Sequence, residues 1–284
     1  MRDDLCMLIL THGRPDKVYT YKRLRKHGYT GKIYLVVDDM DKTLPRYQEL
    51  YGEEVLIFSK EKIALHMDAG DNFPPRSVIY ARNVSHALAE QVGCTYFMQL
   101  DDDYSQFRYK FDEELNYTTS TPIQELDLIL DIMIDFYESS GCITLAMAQG
   151  GDFIGGGASR YGKSITLFRK AMNSFLCSTK RPFQFQGQLN DDVNTYTGGS
   201  RKGQLFFTTN MVSLEQAPTQ ENSGGLTDLY LDMGTYVKSF YTVMFEPSCC
   251  KVTDFGPKDR RLHHRLDWDR IAPKILREDH RRDS

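Results

Sequence analysis

Three short apolar runs near the N-terminus, Leu5 to Thr11, Lys32 to Val37 and Thr95 to Leu100, each lead into a polar or charged segment. Runs of this kind, with little alternation of apolar and polar residues, mark strands buried on both faces, as in parallel sheets covered by helices. The chain between them has helical spacing. Asp16 is a plausible N-cap for a helix carrying Val18, Tyr21 and Leu24 and ending near Gly28, and Ser77 to Val92 places Val78, Ala81, Val84, Ala87 and Leu88 on one face. Glu54 to Phe58 adds a further short strand, Pro122 opens a long helix through Tyr137, and Cys142 to Ala148 reads as another strand. Strands alternating with helices predict an α/β chain with a Rossmann-like, mostly parallel central sheet and flanking helices. In such sheets ligands sit beyond the carboxyl ends of the strands.

After Gly155-Gly156-Gly157 the pattern shifts to mixed strands and loops rich in Phe, Tyr, Gln and Asn, without a repeat or a low-complexity linker. The expectation is therefore a single domain over 1–284 with two functional halves, 1–110 and 111–284. The 284 residues are 40% hydrophobic and 26% charged, ample for a soluble core. No stretch approaches the roughly 18 apolar residues of a membrane span, and Leu5 to Leu10 is too short for a signal peptide, so a cytoplasmic protein with no membrane partner is expected. Six cysteines form no CxxC pair, which argues against a zinc site or a disulfide framework. The net charge of −4 gives no bulk attraction to nucleic acid. Basic residues do cluster early (Arg14 to Lys32) and late (Arg260, Arg261, Arg265, Arg270, Arg277, Arg281, Arg282), as solvated faces or as a local phosphate-binding surface.

The strongest chemical signal is Tyr96-Phe97-Met98-Gln99-Leu100 followed by Asp101-Asp102-Asp103. An apolar strand that delivers three acids puts hard oxygen ligands where a substrate approaches, and Mg²⁺ or Mn²⁺ held by one or two carboxylates keeps open positions for diphosphate oxygens. Successive side chains alternate in direction, so Asp101 and Asp103 can share one task while Asp102 takes another. A second acidic pair, Asp191-Asp192, can supply a general base for an acceptor hydroxyl, although Asn190-Asp191-Asp192 is also ordinary turn chemistry. His263-His264 can complete a metal shell or touch a diphosphate, or belong to a basic amphipathic tail. Arg76 and Arg82-Asn83 flank the helix before the acidic strand: Arg82 can fork onto phosphate or pair with an aspartate, and Asn83 can read a base or a sugar hydroxyl. Neither a Walker A nor a GxGxxG loop is present.

In this order, Leu8-Ile9-Leu10-Thr11-His12-Gly13-Arg14-Pro15, Val36-Val37-Asp38-Asp39, Ala81-Arg82-Asn83, Leu100-Asp101-Asp102-Asp103, Asn190-Asp191-Asp192-Val193 and His263-His264 resemble the GT-A glycosyltransferases. Among these the chain looks most like the TET-associated glycosyltransferases, which are linked to sugar modification of hydroxymethylated pyrimidines in DNA, notably in phages. The resemblance implies a GT-A fold, with the nucleotide-sugar in the first half and a mixed acceptor-side region in the second. It implies that Thr11, Arg14 and Asp38 or Asp39 contact nucleobase and ribose and that Arg82 lies near the nucleotide. It makes Asp101 and Asp103 the metal motif with Asp103 the direct ligand, and turns Asp102 to the ribose or sugar. Asp192 stands in the place of the acceptor-side base and Asp191 where glutamate is common, while His263 or His264 matches a C-terminal histidine at the metal or diphosphate.

These readings combine into transfer of a sugar from a UDP-sugar, with Mn²⁺ or Mg²⁺, to a hydroxyl. The implied acceptor is 5-hydroxymethylcytosine in DNA, in an inverting displacement with an Asp base. A DNA acceptor needs a basic groove and a pocket for an extruded base, for which the C-terminal arginines and Phe183, Phe185, Tyr196, Phe206 and Phe207 are candidates, although ordinary core strands explain the aromatics equally well. Rival readings are a protein or glycan acceptor, a nucleotidyltransferase, and a non-catalytic nucleic-acid-binding module. The sequence is silent on the oligomeric state.

Overall fold

A computed structural model describes residues 1–67, 77–119, 121–153, 155–159, 162, 165–216, 237–255 and 261–278. Arg76, Arg260, Arg281 and Arg282 lie outside the described residues. The strands are β1 (Leu5–Leu10), β2 (Lys32–Asp38), β3 (Val55–Phe58), β4 (Tyr96–Asp101), β5 (Tyr104–Tyr109), β6 (Thr144–Gln149), β7 (Ser174–Ser178), β8 (Phe206–Gln216), β9 (Cys250–Phe255) and β10 (Arg261–Leu266). The helices are α1 (Tyr19–Lys26), α2 (Leu44–Tyr51), α3 (Lys60–Ala64), α4 (Ile79–Gln91), α5 (Leu126–Ser140), α6 (Asp191–Arg201), α7 (237–245) and α8 (Trp268–Ile271).

The first eight strands form one sheet in the order β3-β2-β1-β4-β7-β6-β8-β5, and β9 and β10 form a separate antiparallel hairpin. β3, β2, β1 and β4 are mutually parallel, β7 runs against both β4 and β6, and β6 is parallel to β8. The expected mostly parallel α/β sheet with flanking helices and a mixed second region is therefore what is found. β1 shows why its run is apolar at every position. Leu5, Met7 and Ile9 enter one core, with Leu24, Tyr47, Leu126 and Leu130. Cys6, Leu8 and Leu10 enter the core on the opposite face, with Ile79, Val84 and Leu88. Successive side chains of a strand point to opposite faces, so a strand between two helical layers has no polar position to spare. Among the described residues no helix is long and apolar enough to cross a membrane.

Several local expectations are corrected. Asp16 does not cap α1: Pro15–Lys17 is a separate 3₁₀ turn, the helix starts at Tyr19 without a side-chain cap, and Asp16 pairs instead with Arg46 at 2.9 Å. Pro122 does not open α5. It bridges to Arg108 in extended geometry and Ile123 N–H bonds Phe107 O, so helix begins only at Leu126. Asp191-Asp192 begins a helix rather than ending in a turn, and His263-His264 lies in β10 rather than in a tail. Phe185, Tyr196 and Phe206 are buried in the core, with Phe183 and Phe207 packed against it, so these aromatics are not a pocket for an extruded base.

α1 ends on Gly28 in the left-handed region (φ 87°), where an added Cβ would lie 2.1 Å from Gln124 O. Both the conformation and the contact exclude a side chain. Gly28→Ala is expected to lower unfolding free energy by about 2–3 kcal/mol, measured by urea denaturation; an unchanged midpoint would show that the α1–α5 junction relaxes freely.

Candidate active site

The carboxyl ends of β1, β2 and β4 lie side by side, and their loops form one hydrogen-bonded surface. Thr20, in the first turn of α1, fixes the acid turn after β4: its Oγ1 donates to Asp101 O (2.6 Å) and accepts from Tyr104 N–H (2.9 Å), while its N–H donates to Asp102 O (3.1 Å). The three aspartates then point into different surroundings.

Asp102 is buried and turned toward the β1 loop. Thr11 Oγ1 donates to its Oδ2 at 2.6 Å and Arg14 Nη2 lies 2.9 Å from its Oδ1. Because the Thr11 proton goes to the carboxylate, Tyr47 Oη must donate to Thr11 Oγ1 (2.7 Å) while accepting Arg14 N–H (3.0 Å). Burial pushes Asp102 up to about 6, with Arg14 and Thr11 acting in the opposite direction. Next to this chain, His12 Nδ1 bonds Asp38 Oδ2 at 2.7 Å, Lys60 Nζ lies 3.2 Å from the same oxygen, and Gly13 N–H bonds Asp41 Oδ2 at 2.7 Å. The Asp38 bond raises His12; burial would raise Asp38, but His12 and Lys60 bring it below its ordinary value. Of the adjacent pair, Asp38 faces the loop of Thr11 and Arg14, whereas Asp39 is exposed and accepts Lys60 N–H at 3.1 Å.

Asp101 points the other way. Arg82 of α4, buried at 3% exposure, places Nη2 3.3 Å from Asp101 Oδ1 and Nε 2.8 Å from Asp191 Oδ2. Its guanidinium lies over Phe175 (5.0 Å) and Phe185 (5.5 Å), an arrangement suited to a buried planar cation. Burial pushes Asp101 up to about 7 and Asp191 up to about 6, against the pull of Arg82. Asp103, half-buried, accepts from Gln216 Nε2 at 2.9 Å, and Gln216 is held in turn by Asn173 Nδ2 at 3.2 Å. Asp192, next to the locked Asp191, is partly exposed and accepts Val193 N–H at 2.8 Å.

Two expected site residues are used elsewhere. The Asn83 amide closes on the backbone of Phe185 through Nδ2→O (3.1 Å) and N→Oδ1 (2.7 Å), joining α4 to the segment before α6. His264 is buried with Nε2 3.2 Å from Lys170 Nζ, so an ammonium stands where a metal would approach that nitrogen, and His263 stacks on its ring at 4.4 Å. Among the described residues, no three His, Cys, Asp or Glu side chains form a metal cage. Hard oxygen donors are nonetheless open: Asp101 and Asp103 each engage one oxygen, Oδ1. That arrangement suits a Mg²⁺ or Mn²⁺ ion completing its shell with diphosphate oxygens and water. Sequence reasoning missed Tyr47, Thr20, Lys60, Asp41 and Gln216, which position the expected residues.

Arg82 neutralises two carboxylates at once, so its loss leaves the buried Asp191 and the partly buried Asp101 without their cation. Arg82→Met is expected to lower stability by about 3–5 kcal/mol near pH 8. The folded-state values of Asp101 and Asp191 lie above the ordinary 3.8. The folded chain therefore holds protons that the unfolded chain has lost, and the defect should shrink as pH falls from about 8 to 5. Urea denaturation at both pH values checks this; an equal defect at each would remove the two carboxylates as its cause.

By sequence, no curated protein matches this chain significantly. Similar solved structures include glucosyl-3-phosphoglycerate synthase from Mycobacterium tuberculosis in complex with Mn²⁺ and UDP-glucose, 9% identical, covering 93% of this chain and 87% of that one, with a TM-score of 0.48. The mannosyltransferase PcManGT from Pyrobaculum calidifontis in complex with GDP-Man and Mn²⁺ is 12% identical, covering 78% of this chain and 59% of that one, with a TM-score of 0.47. A family model described as TET-associated glycosyltransferase matches residues 6–225, a span that holds the Thr11–Arg14 loop, Arg82, the acid triplet and Asp191-Asp192. The chain belongs to the TET-associated glycosyltransferase family and is a glycosyltransferase.

Proposed function

We propose that this glycosyltransferase is of the GT-A type and moves a sugar from a UDP-sugar to the hydroxyl of a hydroxymethylated pyrimidine in DNA, 5-hydroxymethylcytosine being the leading acceptor. The observation that carries the reading is the split of the acid triplet: Asp102 is tied to Thr11 and Arg14, while Asp101 is tied through Arg82 to Asp191, beside the open Asp192. One strand end thus connects a donor side to an acceptor side. Thr11, Arg14 and Asp38 would bind nucleobase and ribose, with Asp102 reaching the ribose or sugar. Asp103, helped by Asp101, would hold Mn²⁺ or Mg²⁺, which when bound supplies Lewis-acid neutralisation of diphosphate charge. Asp192 would take the acceptor proton in an inverting displacement, with Asp191 fixed by Arg82 as its support. DNA from the family's name remains the acceptor to test first.

Incubation with a panel of UDP-sugars and Mn²⁺, on hydroxymethylcytosine DNA and unmodified DNA in parallel, followed by mass spectrometry of digested nucleosides, tests donor and acceptor together. The expected result is a hexose or pentose mass shift on modified DNA only; no shift with any donor would remove the DNA acceptor and turn attention to glycan or protein hydroxyls. Asp192→Asn is expected to lower kcat by about 10²–10⁴-fold, the range of general-base contributions, with UDP affinity unchanged. Asp101 is pushed up to about 7, and a metal ligand must be deprotonated. Apparent Mn²⁺ affinity in the presence of UDP should therefore fall as pH drops from about 8 to 6, read by titration calorimetry. A flat profile would take Asp101 out of the metal site.

A further inference from the structure

Arg169 and Lys170 follow one another between β6 and β7 and are fixed from several sides. Thr208 Oγ1 donates to Lys170 O at 2.8 Å, and Arg169 forms an ion pair with Asp152. The Lys170 ammonium lies 3.2 Å from His264 Nε2. With Lys170 as an ammonium, which only donates, that nitrogen is the acceptor and the neutral ring carries its proton on Nδ1; burial pushes this ammonium down, with Asp192 acting in the opposite direction. Among the described residues no carboxylate is in ion-pair contact with Lys170, and one neutral acceptor leaves part of its three-donor capacity unused. Lys238, at the start of α7, is close enough for its charge to act on both Lys170 and His264. Against these cations stand Asp152, already engaged by Arg169, and Asp192, whose charge acts on both Arg169 and Lys170. Burial and the surrounding cations push His264 down to about 3, consistent with a place that holds a surplus of positive charge.

We propose that Lys170, positioned by His264, and Arg169 form a binding site for a phosphoryl group next to Asp192. A half-buried ammonium with unused donor capacity, set beside a guanidinium, attracts a compact, multiply charged oxyanion, and guanidinium and ammonium groups bind phosphate through charge-assisted hydrogen bonds. His264 then serves as the acceptor that orients an ammonium, so the C-terminal hairpin reaches the phosphate through Lys170. The source of the phosphoryl group, donor diphosphate or DNA backbone, rests on the function proposed above; the site itself does not.

The probe is inorganic pyrophosphate, titrated by calorimetry in EDTA so that no metal at the aspartates contributes. Wild-type binding weakened about tenfold or more by Lys170→Gln is expected, as for loss of a charged hydrogen bond. His264→Phe should weaken it severalfold, and His264→Gln, which restores an acceptor, should recover affinity where a merely structural role would not. No binding by the wild type, or equal binding by Lys170→Gln, would overturn the site. If Lys170→Gln does not fold, equal affinity in the two His264 variants would overturn it instead. Parallel titrations separate the sources. A matching loss for UDP assigns the donor diphosphate, whereas a fall of about one in the salt slope for duplex DNA assigns the backbone. Pyrophosphate binding without UDP binding would keep the site and sink the UDP-donor reading.

Discussion

The buried guanidinium of Arg82 is the contact on which the geometry of the site depends. It spans Asp101 at the end of β4 and Asp191 at the start of α6, two positions far apart in sequence that belong to different layers. Holding a buried and a partly buried carboxylate so close together is unfavourable unless a cation with several donors lies between them, and the planar fork of arginine meets that need while stacking on Phe175 and Phe185. Asn83, one residue along α4, ties the same helix to the backbone of Phe185. Together these contacts fix the segment that leads into α6, and with it the position of Asp192.

The other half of the site is organised by a chain of single-proton hydrogen bonds from Arg14 N–H through Tyr47 and Thr11 to Asp102. Each hydroxyl donates once and accepts once, so the chain has one direction and ends on the carboxylate. Neighbouring aspartates in one turn thereby face different environments. Asp102 belongs with the β1 loop, Asp101 with Arg82, and Asp103 with Gln216 at the far end of β8. Asp101 and Asp103, expected to act together, are held by different partners, so a metal binding both would link networks that are otherwise separate.

The parallel half of the fold was legible because burial on both faces leaves a strong mark: an unbroken apolar run such as Leu5 to Leu10 has few other solutions. Strand ends then located Thr11, Asp38 and Asp101, because parallel strands present their carboxyl ends together. The second half was less legible. β7 and β8 mix apolar residues with Ser, Thr and Asn, and the β9–β10 hairpin mixes them with charged residues and histidine, a pattern that depends on which neighbour covers each face. Asp191-Asp192 read as a turn because the helix it begins, with Gly198-Gly199 inside it, has weak intrinsic propensity and forms through tertiary packing. The His263-His264 pair shows the same limit. Its residue types suit a metal, but the partner of His264 is Lys170, and no spacing rule joins residues 170 and 264.

With no preformed cage of three ligands among the described residues, a divalent ion should bind well only when a diphosphate supplies part of its shell. Mn²⁺ binding followed by electron paramagnetic resonance, with and without UDP, in the wild type and in Asp103→Asn, tests this most directly. The expected result is weak binding of Mn²⁺ alone, tight binding with UDP, and loss of the UDP-dependent binding in the variant. Tight binding without UDP, or UDP-dependent binding that survives Asp103→Asn, would contradict the assignment of the acid triplet as the metal–diphosphate site.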